Sequence, residues 1–287
     1  MKNSEISDPL FRQAVEAIDA GDLPALESLL NEHPELVRNR LNYPEGAYFK
    51  DPYLLWFVAD NPIRNEKLPP NIVAITRFLI DAVKREATDT TQQQLDYALG
   101  LVATGRIPRE CGVQIEMMDL LIDAGAKVGG GLGAFANGNI EAGRHLIKRG
   151  GKLTLAAAVC LDNMEDVERL VPPADKDELL AALTAAAFFG NSRMIAYLLG
   201  KGVDPNGYPK SSSGFHSHAT PLHQAVSSGS LDSVKLLVES GAKLDVADKI
   251  YDGTPSGWAE HMKNEESFDE ATKKKYEAIA EYLATKN

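Results

Sequence analysis

The stretch Thr220-Pro221-Leu222-His223-Gln224-Ala225 is followed by Gly229-Ser230-Leu231-Asp232-Ser233-Val234-Lys235-Leu236-Leu237 and then Gly241-Ala242. It reads as a tight turn, a short helix, a glycine turn, a second amphipathic helix and a glycine stop. Pro221 suits a first helical turn, where the missing N–H costs nothing. Gly241 falls just past a helix end, where a left-handed residue is needed. A helix pair of this size cannot bury its apolar stripe alone, so the segment predicts one unit of a repeating stack.

The glycine-plus-helix half recurs along the chain. Gly190-Asn191-Ser192 leads to Leu198-Leu199 and Gly202, and Gly138-Asn139-Ile140 leads to Leu146-Ile147 and Gly150. Asp162-Asn163-Met164 leads to Leu170-Val171, and Gly21-Asp22-Leu23 leads to Leu29-Leu30. The same helix is read over 71–82 and 116–126, and the chain closes on Thr254-Pro255 and a helix over 276–283. These segments make about eight units. The aligned turns at 138, 162, 190 and 229 lie 24, 28 and 39 residues apart, so connections between units are trimmed in places and extended in others. The long step contains a Gly/Pro/Ser-rich loop over 207–219. Further insertions are expected between paired helices over 60–70, 104–112 and 263–275.

Thr220 to Ala225 matches the T-P-L-H-x-A signature, and with it the chain resembles the ankyrin-repeat family across nearly its whole length. It is similar to stand-alone bacterial ankyrin proteins in its opening, Gly21-Asp22-Leu23 through His33-Pro34-Glu35-Leu36. The late Asp252-Gly253-Thr254-Pro255 followed by Trp258-Ala259 carries the same likeness. The resemblance implies an all-α ankyrin-repeat solenoid of degenerate helix-turn-helix units with short or extended finger loops. It implies one domain over 1–287, capped by units at about 9–40 and about 252–287, since terminal repeats depart from the pattern. It also implies non-catalytic protein–protein recognition through the concave surface of inner helices and fingers.

Composition narrows the partner classes. The chain carries 30 Lys and Arg against 41 Asp and Glu, a net charge of −11. Phosphate neutralisation needs clustered cations, and the one dense run, Lys273-Lys274-Lys275, has Glu270 and Glu277 close by. No nucleic-acid partner is expected. There is no apolar run long enough to span a membrane, and the N-terminus lacks the apolar segment of a secretory signal. Two cysteines, Cys111 and Cys160, suit a reducing cytosol rather than a disulfide framework. A cytoplasmic monomer with an unidentified protein partner is the expectation. A ligand- or metal-responsive regulator or a host-directed effector is the alternative.

Chemistry-bearing residues are few. His216, His218 and His223 fall close together, and imidazole is a common metal ligand. No cysteine or adjacent carboxylate completes a four-ligand set there, and the family likeness assigns His223 a structural hydrogen bond within the finger. Cys160 sits in an apolar helix and reads as core, whereas Cys111 lies in a polar insertion beside Arg109 and Glu110. The run Gly129-Gly130-Gly131-Leu132-Gly133 lacks the Lys-Ser/Thr of a phosphate loop and reads as a tight finger entering a helix. No catalytic residue, metal or cofactor is expected. By alignment within the family pattern, Phe188 and Phe189 take the places of Ser227 and Ser228, which usually face the groove. The expected partner surface comprises Phe188, Phe189, Gln224, Ser227, Ser228 and Phe215, with Trp56 and Phe57 on the second unit's inner helix. Trp258 is expected to pack the last layer.

Overall fold

The computed structural model describes residues 2–211 and 214–286; among them the chain is built of α-helices and short 3₁₀ segments, with no strand. Ser212 and Ser213, which belong to the long 207–219 loop, lie outside the described residues. Packing divides the chain into two compact units, Met1–Gly151 and Lys152–Asn287.

The first unit contains α1 (Pro9–Ala20), α2 (Leu23–Glu32), α3 (Glu35–Arg38), α4 (Ile72–Glu86), α5 (Thr91–Thr104), α6 (Arg106–Glu110), α7 (Gln114–Asp123), α8 (Leu132–Ala136) and α9 (Ile140–Lys148). Its inner layer runs α1, a 3₁₀ helix at Leu54–Ala59, α5 and α8, and its outer layer runs α2, α4, α7 and α9. The second unit contains α10 (Leu155–Cys160), α11 (Met164–Leu170), α12 (Lys176–Phe188), α13 (Ser192–Gly200), α14 (Pro221–Ser227), α15 (Leu231–Glu239), α16 (Pro255–Lys263) and α17 (Glu270–Ala284). Here α10, α12, α14 and α16 pack in order as the inner layer, with α13, α15 and α17 among the outer partners. Each unit thus holds four helix pairs, in agreement with the repeat count read from the sequence.

Short polar side chains set the helix starts. Asp8, Asp22, Thr154, Asn163, Asn191, Ser230, Thr254 and Asp269 each accept a backbone N–H of the first turn. These bonds satisfy donors that have no partner inside the helix. Pro221 and Pro255 occupy first-turn positions, and Gly202 (φ 81°) and Gly241 (φ 89°) take the left-handed conformation at helix ends. The inner helices approach closely because their contact faces are small: Ala156 to Ala158, Ala185 to Ala187 and Ala225 are all buried.

The insertions resolve differently from one another. Residues 60–71 form a loop, whereas 104–112 is largely the short helix α6. The break expected over 263–275 shrinks to 264–269, because the Asp269 carboxylate accepts the Thr272 N–H at 2.7 Å and starts α17 there. At the 129–133 glycine run, Gly131 adopts φ 76° and α8 begins at the next residue, as a finger entering a helix requires.

One close approach gives a direct stability prediction. Gly143 on α9 faces the fully buried ring of Phe135 on α8, and a Cβ there would overlap the ring. Overpacking a filled core costs about 1–3 kcal/mol. Gly143→Ala is therefore expected to destabilise the first unit by that amount, read as a lower urea midpoint at unchanged slope, despite alanine's better helix propensity. An unchanged midpoint would show that Phe135 has room to move.

Candidate recognition surface

The T-P-L-H signature fixes the geometry of the last finger. His223 is fully buried on α14, and its Nε2 lies 2.9 Å from the carbonyl oxygen of Gly253. A carbonyl only accepts, so Nε2 carries the proton and donates. Nδ1 then accepts from the Thr220 hydroxyl at 2.7 Å and the Thr220 N–H at 3.3 Å. Burial holds the imidazole below its ordinary pKa, favouring this neutral form. Both nitrogens are engaged within the fold. Among the described residues, no group of three or more His, Cys, Asp or Glu is arranged to hold a metal ion.

From Gly253 the network passes to Asp248, which is 3% exposed. Its carboxylate accepts the backbone N–H groups of Ile250 at 2.8 Å, Tyr251 at 2.7 Å and Gly253 at 3.0 Å, and the Trp258 indole N–H at 2.9 Å. Burial alone would raise the Asp248 carboxyl; the donors converging on it outweigh burial and hold it well below the ordinary value. The finger is therefore a rigid hairpin of backbone wrapped around one carboxylate. Its tip presents Ile250 and Tyr251, which are 61% and 75% exposed.

The neighbouring 207–219 loop is tied to this finger. Lys249 N–H donates to the His218 carbonyl at 2.8 Å, the Tyr208 hydroxyl donates to the Ala247 carbonyl, and the Lys249 ammonium lies 4.0 Å from the Tyr208 ring centre. At the base, Asn206 donates to Gly241 O at 3.0 Å and accepts from Lys243 N at 2.9 Å. An aromatic row runs beneath. Phe188 stacks on His216 at 4.7 Å and meets Phe189 and Phe215 edge-on at 5.0 and 5.6 Å. His216 leads to His218, and His218 to Trp258 at 6.3 Å. Beside Trp258 opens an apolar cavity of about 550 Å³, lined by Ser227, Tyr251, Gly253, Trp258, His261 and Met262 among others.

The expected surface residues divide. Phe188, Phe189 and Ser227 are half-buried and Ser228 is exposed, so these four keep solvent-accessible surface. Phe215 and Gln224, each 3% exposed, are core. Phe215 meets the Phe188 ring edge-on.

Trp56 and Phe57 require the same correction, at 3% and 0% exposed. They lie on the 3₁₀ helix Leu54–Ala59, whose six residues are all buried. Phe57 packs edge-on to Phe11 and Phe49, and Trp56 stacks on Tyr97 at 4.1 Å while donating its indole N–H to Gln94 O. Trp258 does more than pack the last layer, since one of its sides lines the cavity. Ile250, Tyr251 and Met262 were not anticipated. The available signal was an Ile-Tyr pair placed inside a polar turn just before Asp252-Gly253-Thr254-Pro255. Cys160 is buried, which pushes its thiol pKa up, while Cys111 is exposed.

Residues 109–248 match the family model for ankyrin repeats (3 copies). No curated protein matches the chain significantly. The match contains the Thr220 signature and the inner and outer helices around it, and together with the all-helical repeat architecture it supports an ankyrin-repeat protein.

Proposed function

We propose that the chain is a non-catalytic recognition module that binds a protein through the finger tip at Ile250 and Tyr251 and the cavity beside Trp258. Ankyrin repeats are generally protein–protein interaction modules and typically non-catalytic, which supports the general class. The observation that carries the specific reading is the exposure of two large apolar side chains on a finger held by four hydrogen bonds to Asp248. Exposed apolar groups on a pre-ordered backbone lose little entropy on binding, and aromatic anchors beside a pocket are where binding energy concentrates. Phe188, Phe189, Ser227 and Ser228 extend the same surface along the inner helices. The net charge of −11 disfavours nucleic acid as the partner. The exposed free thiol of Cys111 suits a cytoplasmic, reducing setting.

The test is an affinity capture from native cells with the intact chain and with the Ile250→Ala/Tyr251→Ala variant. Truncating central anchors costs about 2 kcal/mol or more, roughly thirtyfold in affinity. At least one polypeptide held by the parent chain should be lost from the variant, while an outer-surface change, Arg85→Ala, retains it. Equal retention by both variants would remove the finger from the binding surface.

A further inference from the structure

A second cleft lies wholly within the first unit, along one face of α5. Asp96, Gly100 and Thr104 stand on successive turns with Tyr97 beside them, and Tyr48 and Asn61 close the other side of a cavity of about 430 Å³. Gly100 leaves the floor open, since a Cβ there would meet nothing within 4 Å.

The polar groups of this wall are already matched to one another. Tyr48 donates its hydroxyl to Asn61 Oδ1 at 2.8 Å, and Asn61 Nδ2 donates to Leu101 O at 3.0 Å and Thr104 Oγ1 at 3.2 Å. The Thr104 hydroxyl donates to Gly100 O at 2.8 Å, and the Tyr97 hydroxyl donates to the Tyr48 carbonyl. Asp96 is the one charged residue of the lining. Its Oδ1 accepts Gln92 Nε2 and the Lys127 N–H, both at 2.7 Å, so the carboxylate is held in place. Its Oδ2 accepts no hydrogen bond from the described residues. What the cleft lacks is therefore a positively charged donor, and what its remaining walls offer is aromatic surface. Tyr48 is 57% exposed, and Tyr97 is half-buried with Trp56 stacked against it.

We propose that this cleft receives the cationic head of a lysine or arginine side chain of a bound polypeptide, with the carboxylate of Asp96 as its counter-ion and the tyrosine rings against its stem. A guanidinium or ammonium satisfies a carboxylate oxygen by a charge-assisted hydrogen bond and is attracted to aromatic faces. The chain's negative charge draws such a partner in. The cleft is separate from the finger surface, so either assignment stands or falls without the other.

The test is an NMR titration of the intact chain at low salt with three blocked tripeptides, Gly-Arg-Gly, Gly-citrulline-Gly and Gly-Glu-Gly. The arginine peptide should shift the amides of Asp96, Tyr97, Gly100 and Tyr48. Citrulline keeps the shape and loses the charge, and should bind about tenfold more weakly, a difference of about 1.4 kcal/mol. Asp96→Asn preserves the oxygen that holds the carboxylate's place and should weaken the arginine peptide by a similar factor. Tyr48→Ala, at an exposed position, should weaken it by roughly two- to fivefold through lost cation–π attraction. Absence of shifts at these residues, equal binding of citrulline, or an unaltered titration in Asp96→Asn would each overturn the proposal.

Discussion

Arg64→Ala is expected to destabilise the first unit by about 3–5 kcal/mol, the cost of stranding a buried charge whose partner has been removed. Arg64 is the pivot of the 60–71 loop. Its side chain is 2% exposed, and Nη2 donates to Asp19 Oδ1 at 2.8 Å and to Phe57 O at 3.1 Å. The guanidinium also lies 4.9 Å from the Phe57 ring centre. Asp60, 1% exposed, accepts the N–H groups of Arg64 at 3.0 Å and Glu66 at 3.1 Å, with Asn65 N–H at 3.3 Å. The loop is therefore folded around the Arg64 guanidinium and two carboxylates, Asp19 and, at 3.7 Å, Asp60, within the apolar layer formed by Phe57.

The loss should depend on pH with a definite sign. Burial raises the Asp60 carboxyl above its ordinary value of 3.8, and Arg64 opposes that rise. Without Arg64 the rise is larger. The folded state then binds the Asp60 proton more tightly than the unfolded state does, so stability increases as pH falls through the folded-state value towards 3.8. The Arg64→Ala deficit should be greatest at neutral pH and should shrink on acidification. Urea unfolding monitored at the Trp56 indole over a pH series reads this directly. A deficit under about 1 kcal/mol, the scale of an exposed ion pair, would show that the pair contributes little.

Asp248→Ala should release the last finger, with a local loss of about 2–3 kcal/mol for a charged acceptor that serves several donors. Amide exchange at Ile250, Tyr251 and Gly253 should accelerate, the Trp258 indole N–H should lose its protection, and binding through the finger should fall with it. Asp248→Asn keeps one acceptor oxygen and no charge, and should fall between the parent and alanine. The acid dependence follows from the lowered carboxyl pKa. A depressed folded-state value stabilises the finger fully above the ordinary 3.8 and loses that contribution as pH falls towards the folded value. Opening of the parent finger on acidification, with no such dependence in Asp248→Asn, is the expected pattern. Unchanged protection of the three amides in Asp248→Ala would remove the carboxylate from its organising role.

The helix pairs were legible because their causes are local. Pro221 and Pro255 start helices, Gly202 and Gly241 end them, and Ser230 or Asn191 caps the first turn, all through atoms a few residues apart. The T-P-L-H signature was legible for the same reason at one end, where His223 meets Thr220. Its other nitrogen reaches Gly253, thirty residues on. That bond helps place the finger whose tip carries Ile250 and Tyr251.

Exposure is a property of neighbours, and there the sequence alone was not enough. Phe188 and Phe189 keep solvent-accessible surface, while Trp56 and Phe57, also aromatic and also candidates for the surface, are enclosed by Phe11, Phe49 and Tyr97. The Leu54–Ala59 segment is apolar on every side, so a short helix there is stable only when covered all round. The cleft on α5 joins Tyr48, Asn61 and Asp96 across nearly fifty residues of chain, and Asp248 collects donors that only a folded turn can aim at one carboxylate. Sequence alone determined that the chain is built of repeated helix pairs, because periodicity and punctuation act within a turn of helix. Tertiary structure alone decided which aromatics face solvent and which polar groups converge, because both depend on what packing brings alongside.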